Sequence, residues 1–319
     1  MFPSIFTQMI FLFAFIIIGF ILSKWKFVPD NSERVLSKLE NTVFMPALVM
    51  GTFIENCNVS VLSSVWKLLV LSAALLVVVI PLSLLCAKFC FKEKYLQKIA
   101  TYGLAFSNFG FMGNAIMQAV FPEIFFEYTI FSLPLWFVIY LWGAPVCLIA
   151  GDDNAEKVKL SQRLKSFANP MLIGMFIGMI IGLTGLQLPT GILKVIDVSG
   201  DCMSPIAMLL TGLTIGKLNL LQLLKRWRIY LVTGIKLFVY PLLFILVFMF
   251  VPQGDFISDT FLKCGLCIMA MPTGLNTIVI PAAYGRDTSD AAGMALISHL
   301  ISVGTIPLMF MLLQNLVLL

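Results

Sequence analysis

Charge is scarce in this chain. Only 12% of its 319 residues are Asp, Glu, Lys or Arg, against roughly 25% in a typical soluble domain. A single histidine excludes a His-rich metal site. The sequence contains no H-E-x-x-H, no G-x-S-G and no G-x-G-D; the stretch nearest the last reads Ser199-Gly200-Asp201 and lacks the earlier glycine. It has no Walker-type loop, so ATP does not drive it directly, and no T-V-G-Y-G filter. The seven cysteines lie almost entirely within apolar runs, where a thiol packs as a small hydrophobe. Cys264-x-x-Cys267 has neither a partner motif nor a soluble fold around it, so it is not read as a redox or metal pair. No cofactor is expected.

What the chain has in quantity is apolar surface: 60% of residues, with a mean hydropathy of +1.00. Lipid is the one place to bury it, so the expectation is an all-α polytopic membrane protein of the plasma (inner) membrane with the bilayer as its first partner. The net charge of +5 does not point to nucleic acid, because the basic residues flank apolar runs, where they set orientation. At about 20 residues per crossing, ten spans fit: 5–23, 38–55, 65–87, 99–120, 127–150, 169–186, 196–216, 229–251, 261–283 and 290–316. The first has no basic residues before it and ends at Lys24-Trp25-Lys26, so it reads as a retained span rather than a signal peptide. Trp25, Trp66 and Trp227 fall at expected ends, as interfacial aromatics do.

Counting Lys and Arg on alternate sides of these spans gives seventeen against three, the minority being Lys67, Lys194 and Lys263. That bias puts both termini outside the cytoplasm. The charged linker 151–168 then divides the chain into 1–150 and 169–319, with five spans each. Two similar halves with an odd number of spans must be inverted relative to one another. Echoes between them support a repeat. Met45-Pro46-Ala47 in span two matches Ser204-Pro205-Ile206-Ala207 in span seven, and Ile80-Pro81-Leu82 in span three matches Tyr240-Pro241-Leu242 in span eight.

Spans four and nine are broken at mid-length by small, polar and proline residues: Ser107-Asn108-Phe109-Gly110-Phe111-Met112-Gly113-Asn114 and Pro272-Thr273-Gly274-Leu275-Asn276. A helix opens in the membrane where protein or a cavity takes over its backbone groups, and paired breaks in two halves point to a transport site. Free N–H groups follow each break and free carbonyls precede it. Ser107, Asn108, Asn114, Thr273 and Asn276 add polar side chains, Gly110 and Gly274 permit close backbone approach, and Pro272 removes an N–H. These eight residues are the candidate substrate site. A bland alternative is a kinked packing helix whose asparagines bond to neighbouring helices.

Intramembrane ionisable groups are costly and so need a reason. Asp197 and Asp201 share one face of span seven; Asp201 is the leading proton or cation carrier, and Asp197 reads as interfacial. His299 in span ten is a second coupling candidate, although a lone buried histidine is more often a packing residue. Glu40 is expected at the inner interface facing Lys38. Lys236 either snorkels to the inner surface, the commoner fate, or attracts an anion.

At these residues the chain resembles the auxin efflux carrier family, which includes plant PIN-formed carriers and bacterial malate-type permeases. Ser107 to Gly113 looks like the family's first crossover and Ala270-Met271-Pro272-Thr273-Gly274 like its second. Tyr284-Gly285-Arg286-Asp287, Thr305-Ile306-Pro307-Leu308 and Ser204 to Gly212 add to the likeness, which covers essentially the whole chain. The resemblance implies a scaffold of spans one, two, six and seven, often a homodimer contact, and a transport part of spans three to five and eight to ten. It implies a secondary transporter carrying an organic anion by an elevator-like motion, with Asn108 and Pro272-Thr273 at the substrate. There are two departures: Ser107 stands where plant members have proline, and Asn114-Ala115 where many bacterial ones have an apolar residue and proline. The short linker fits the bacterial type.

The expected function is therefore transport of a small carboxylate, such as malate or an auxin-like acid, with coupling to protons, to sodium or to neither left open. A channel-like pore and, with less support, an intramembrane enzyme using Asp201 are the competing readings.

Overall fold

Proline and glycine decide where the helices of this chain bend, stop and touch. The computed structural model describes residues 2–149, 169–217, 225–283 and 286–318. The linker 151–168, with its four basic residues, and Tyr284-Gly285 lie outside the described residues. The first half contains α1 (Phe2–Lys24), α2 (Ser32–Leu39), α3 (Met45–Asn56), α4 (Val59–Cys90), α5 (Lys94–Ala105), α6 (Asn114–Val120) and α7 (Phe125–Val138). The second contains α8 (Pro170–Thr184), α9 (Thr190–Asp201), α10 (Met203–Gly216), α11 (Trp227–Gly234), α12 (Tyr240–Met249), α13 (Asp259–Ala270), α14 (Asn276–Ala283) and α15 (Ser289–Leu316). Among the described residues no strand forms.

Several of these helices join through wider π-helical turns: Glu40–Phe44, Phe109–Gly113, Ile139–Ile149 and Ile235–Val239. Two of them end just before a proline. Pro46 and Pro241 cannot donate to the carbonyls of Thr42 and Leu237, and widening the turn below relieves the clash with the ring.

Among the described residues, six stretches are long and apolar enough to cross a membrane: Ile5–Lys24, Val65–Cys90, Pro122–Ile149, Thr190–Gly216, Trp227–Met249 and Ser289–Leu316. The other four expected spans fall on helices that are short, such as α8, or interrupted, such as α5 with α6 and α13 with α14.

Outward-facing residues on the long helices are apolar, for example Val77 and Phe89 on α4. Packing is tight where helices meet. α1 runs along α10, and a Cβ on Gly212 would stand 2.0 Å from the Ile16 carbonyl oxygen, so only glycine lets these backbones approach. The deepest burial surrounds the ends of α5 and α13 and the middle of α15, where Tyr102, Leu104, Met271, Thr273 and Ser298 have at most 1% exposure.

Candidate functional site

Helix α5 ends because its chain turns extended at Phe106 (φ −117°, ψ 94°). Helix α13 ends because Pro272 has no N–H to continue the ladder and forces Met271 into the extended region (φ −65°, ψ 147°). The two extended segments lie side by side. Ser107 and Thr273 form an isolated antiparallel bridge, and the Asn108 N–H donates to the Pro272 carbonyl at 2.7 Å. The breaks expected in spans four and nine therefore meet.

Each break orphans a carbonyl four residues upstream. The Ile268 oxygen would be the helical partner of residue 272, which is proline, and the Ser107 hydroxyl donates to it instead at 2.8 Å. The Leu104 oxygen would be the partner of the Asn108 N–H, which has gone to Pro272. The Lys236 ammonium donates to it at 3.1 Å. Both substitutions follow from the rule that buried backbone groups find partners.

Helix α15 holds both segments with consecutive residues. The Ser298 hydroxyl accepts from the Thr273 N–H at 3.1 Å, and His299 Nε2 lies 3.0 Å from Asn108 Nδ2. His299 Nδ1 sits 2.7 Å from the Ala295 carbonyl, which can only accept. Nδ1 therefore carries the proton, and Nε2 accepts from the Asn108 amide.

Downstream of the breaks, the Asn108 carbonyl accepts from the N–H groups of Met112 and Gly113, and helix resumes at once. Tyr128 Oη donates to the Phe109 carbonyl at 2.9 Å. Asn276 Nδ2 donates to Tyr102 Oη at 3.2 Å. Between the two helix starts lies a cavity of about 20 Å³, bounded by Tyr102, Ser107, Asn108, Trp136, Gly274 and Asn276 among others. It has room for about one water. Its wall includes residues 109–111 and 274–276, the starts of the two resumed helices, where N–H groups lack helical acceptors. The Thr273 hydroxyl is buried without a partner.

Of the expected site residues, Ser107, Asn108, Gly110, Gly274 and Asn276 line this cavity, and Pro272 and Thr273 form the strand-like contact behind it. Asn114 is buried but its amide turns back to the Gly110 carbonyl at 2.8 Å. His299 joins the crossover directly. Asp201 does not: with Asp197, Glu55, Asn56 and Gln118 it lines a separate cavity of about 250 Å³ between α3 and α9.

Two expectations for ionisable residues are corrected. Glu40 does not face Lys38 at an interface; it is fully buried and neither carboxyl oxygen has a partner. Lys236 does not snorkel, because the side chain is fully buried and committed to Leu104. Ser298 and Tyr102 were not singled out from the sequence. The missing N–H of Pro272 did announce an orphan carbonyl at Ile268, yet no sequence signal says which side chain fills it.

A family profile described as "Membrane transport protein" matches residues 4–310, nearly the whole chain. The chain belongs to that family, the auxin efflux carriers. It is 22% identical over 207 residues to a protein of Rhizobium meliloti (strain 1021) named "Putative malonate transporter", covering 63% of this chain and 62% of the relative. It thus spans less than two thirds of that relative's length. Family and relative both point to a membrane transporter rather than an enzyme.

Proposed function

We propose that this transporter is a secondary carrier of small organic anions, with its substrate at the crossover of the two broken helices. The observation that carries the reading is the contact of Ser107-Asn108 with Pro272-Thr273, which sets two helix starts around one cavity. N–H groups at helix starts favour anions. Carboxylates of the malonate or malate type, or auxin-like acids, suit such a site, and the name of the Rhizobium relative agrees with the first of these.

The proposed architecture has ten crossings in two inverted five-helix repeats, with both termini outside. The transport part, α4 to α7 and α11 to α15, would move against a scaffold of α1 to α3 and α8 to α10, which would also carry a homodimer contact. A cavity of about 20 Å³ is far too small for a dicarboxylate, so the substrate enters only when the crossover rearranges. That closure supports alternating access of the elevator type over an open pore. His299, in contact with Asn108, is the stronger coupling candidate, and Asp201 in its separate cavity is the weaker.

The deciding experiment is a counterflow screen of mono- and dicarboxylates in proteoliposomes, with and without pH and sodium gradients. Saturable counterflow of at least one carboxylate, lost in Asn108→Ala, is the expected result. Non-saturating flux without counterflow would establish a pore, and wild-type rates for every carboxylate in Asn108→Ala would remove the crossover as the site.

A further inference from the structure

We propose that Lys236 is the specificity-determining charge of this carrier, and that its ammonium pairs with a substrate carboxylate when the crossover opens. The inference rests on the carrier reading and deepens it, because backbone dipoles alone would leave the site without a full charge.

Lys236 sits near the middle of the apolar stretch Trp227–Met249, in the π-helical turn Ile235–Val239, with no exposed surface. Its Nζ donates to Leu104, whose carbonyl is free because Asn108 crosses over to Pro272. The lysine is therefore wired to the break itself. The face of the Tyr240 ring lies 5.5 Å away, and the Tyr240 hydroxyl is anchored to Ser83 Oγ at 2.9 Å. A carbonyl and a π face both favour a cation.

What is missing is a counter-ion. Among the described residues no carboxylate lies within ion-pair distance of Lys236. An ammonium has three donors and this one has a single hydrogen-bond partner. An intramembrane charge without a partner is costly and is rarely kept for packing alone. The carrier's anion supplies both the charge and the acceptor oxygens that the lysine lacks. A lysine that merely caps α5 would serve as well for a neutral ligand, and that difference can be measured.

The test uses the full chain in proteoliposomes with radiolabelled malonate, competed by unlabelled malonate, its monoamide and its diamide. If malonate is not moved, the carboxylate found by the screen takes its place with its own amides. In the wild type, apparent affinity is expected to fall with each carboxylate converted to amide. Lys236→Arg is expected to keep that order. Lys236→Gln is expected to weaken the dianion about 10- to 100-fold, the range of a lost charge-assisted contact, while leaving the diamide nearly unchanged. Equal competition by acid and diamide in the wild type would overturn the inference without any variant, so a Lys236→Gln protein that does not fold leaves it decidable. A folded Lys236→Gln protein that binds the dianion as tightly as the wild type would also overturn it while leaving the carrier reading standing. A wild type that moves no carboxylate at all would end the carrier reading, and the inference with it.

Discussion

Asn108 and His299, 191 residues apart in the chain, meet through their side chains at 3.0 Å, and the second imidazole nitrogen is held by the Ala295 carbonyl at 2.7 Å. The imidazole is thus fixed at both ends, and Asn108 has one orientation that satisfies it. This pairing ties the first broken helix to α15, while the neighbouring Ser298 ties the second. The crossover is held as a unit by one helix.

Removing either partner should be felt beyond its own contact. Asn108→Ala leaves Nε2 buried without a donor, a loss of roughly 1–3 kcal/mol. The two single variants and the double variant Asn108→Ala/His299→Ala form a cycle. We expect the combined loss to fall short of the sum by roughly 0.5–3 kcal/mol, read from thermal unfolding in detergent. Strictly additive losses would show that the two side chains are not coupled.

Gly113 should tolerate no side chain. A Cβ there would stand 2.2 Å from Tyr128 Oη, the atom that donates to the Phe109 carbonyl. Gly113→Ala must push the phenol away and break that bond, with an expected cost of about 1–3 kcal/mol. Adding Tyr128→Phe removes the clashing hydroxyl, so the double variant should recover part of the melting temperature lost by Gly113→Ala. No recovery would mean that the space is limited by something other than Tyr128.

The start of α15 should loosen in acid. Asp287 accepts from the Ser289 N–H at 2.8 Å and from its hydroxyl at 2.6 Å, and these bonds hold its carboxylate below its ordinary value of 3.8. A depressed carboxylate contributes stability above its unfolded value and loses it as pH falls through the folded one. Hydrogen exchange at residues 289–292, corrected for the intrinsic pH dependence, should therefore lose protection between neutral pH and about pH 3. In Asp287→Asn that extra loss should vanish, and an unchanged pH response would show that Asp287 does not secure this turn.

Much of this organisation was legible in the residues themselves. Apolar runs are local signals, and they need only the bilayer as a second party. The breaks were legible because Pro272 cannot donate and because Ser107-Asn108-Phe109-Gly110 interrupts an apolar run with polar and small residues. Asn108, Gly274 and Asn276 line the cavity between the two resumed helices. Asn114 does not line the cavity, since an asparagine four residues past Gly110 can satisfy itself on its own helix.

The partners were a different matter. By itself, the sequence determined where two apolar runs would break; the Leu104 carbonyl loses its helical donor only through the contact of Asn108 with Pro272, whereas that of Ile268 loses it to Pro272 alone. Only the tertiary structure decided that Lys236, 132 residues away, fills the first and Ser107, 161 residues away, fills the second. The same holds for Glu40, whose burial without a partner depends on helices packing over it rather than on its neighbours in the chain. The missing donor at Ile268 is a local fact, fixed by a proline. Its replacement depends on which distant side chain packing brings within hydrogen-bond reach, and no local pattern encodes that.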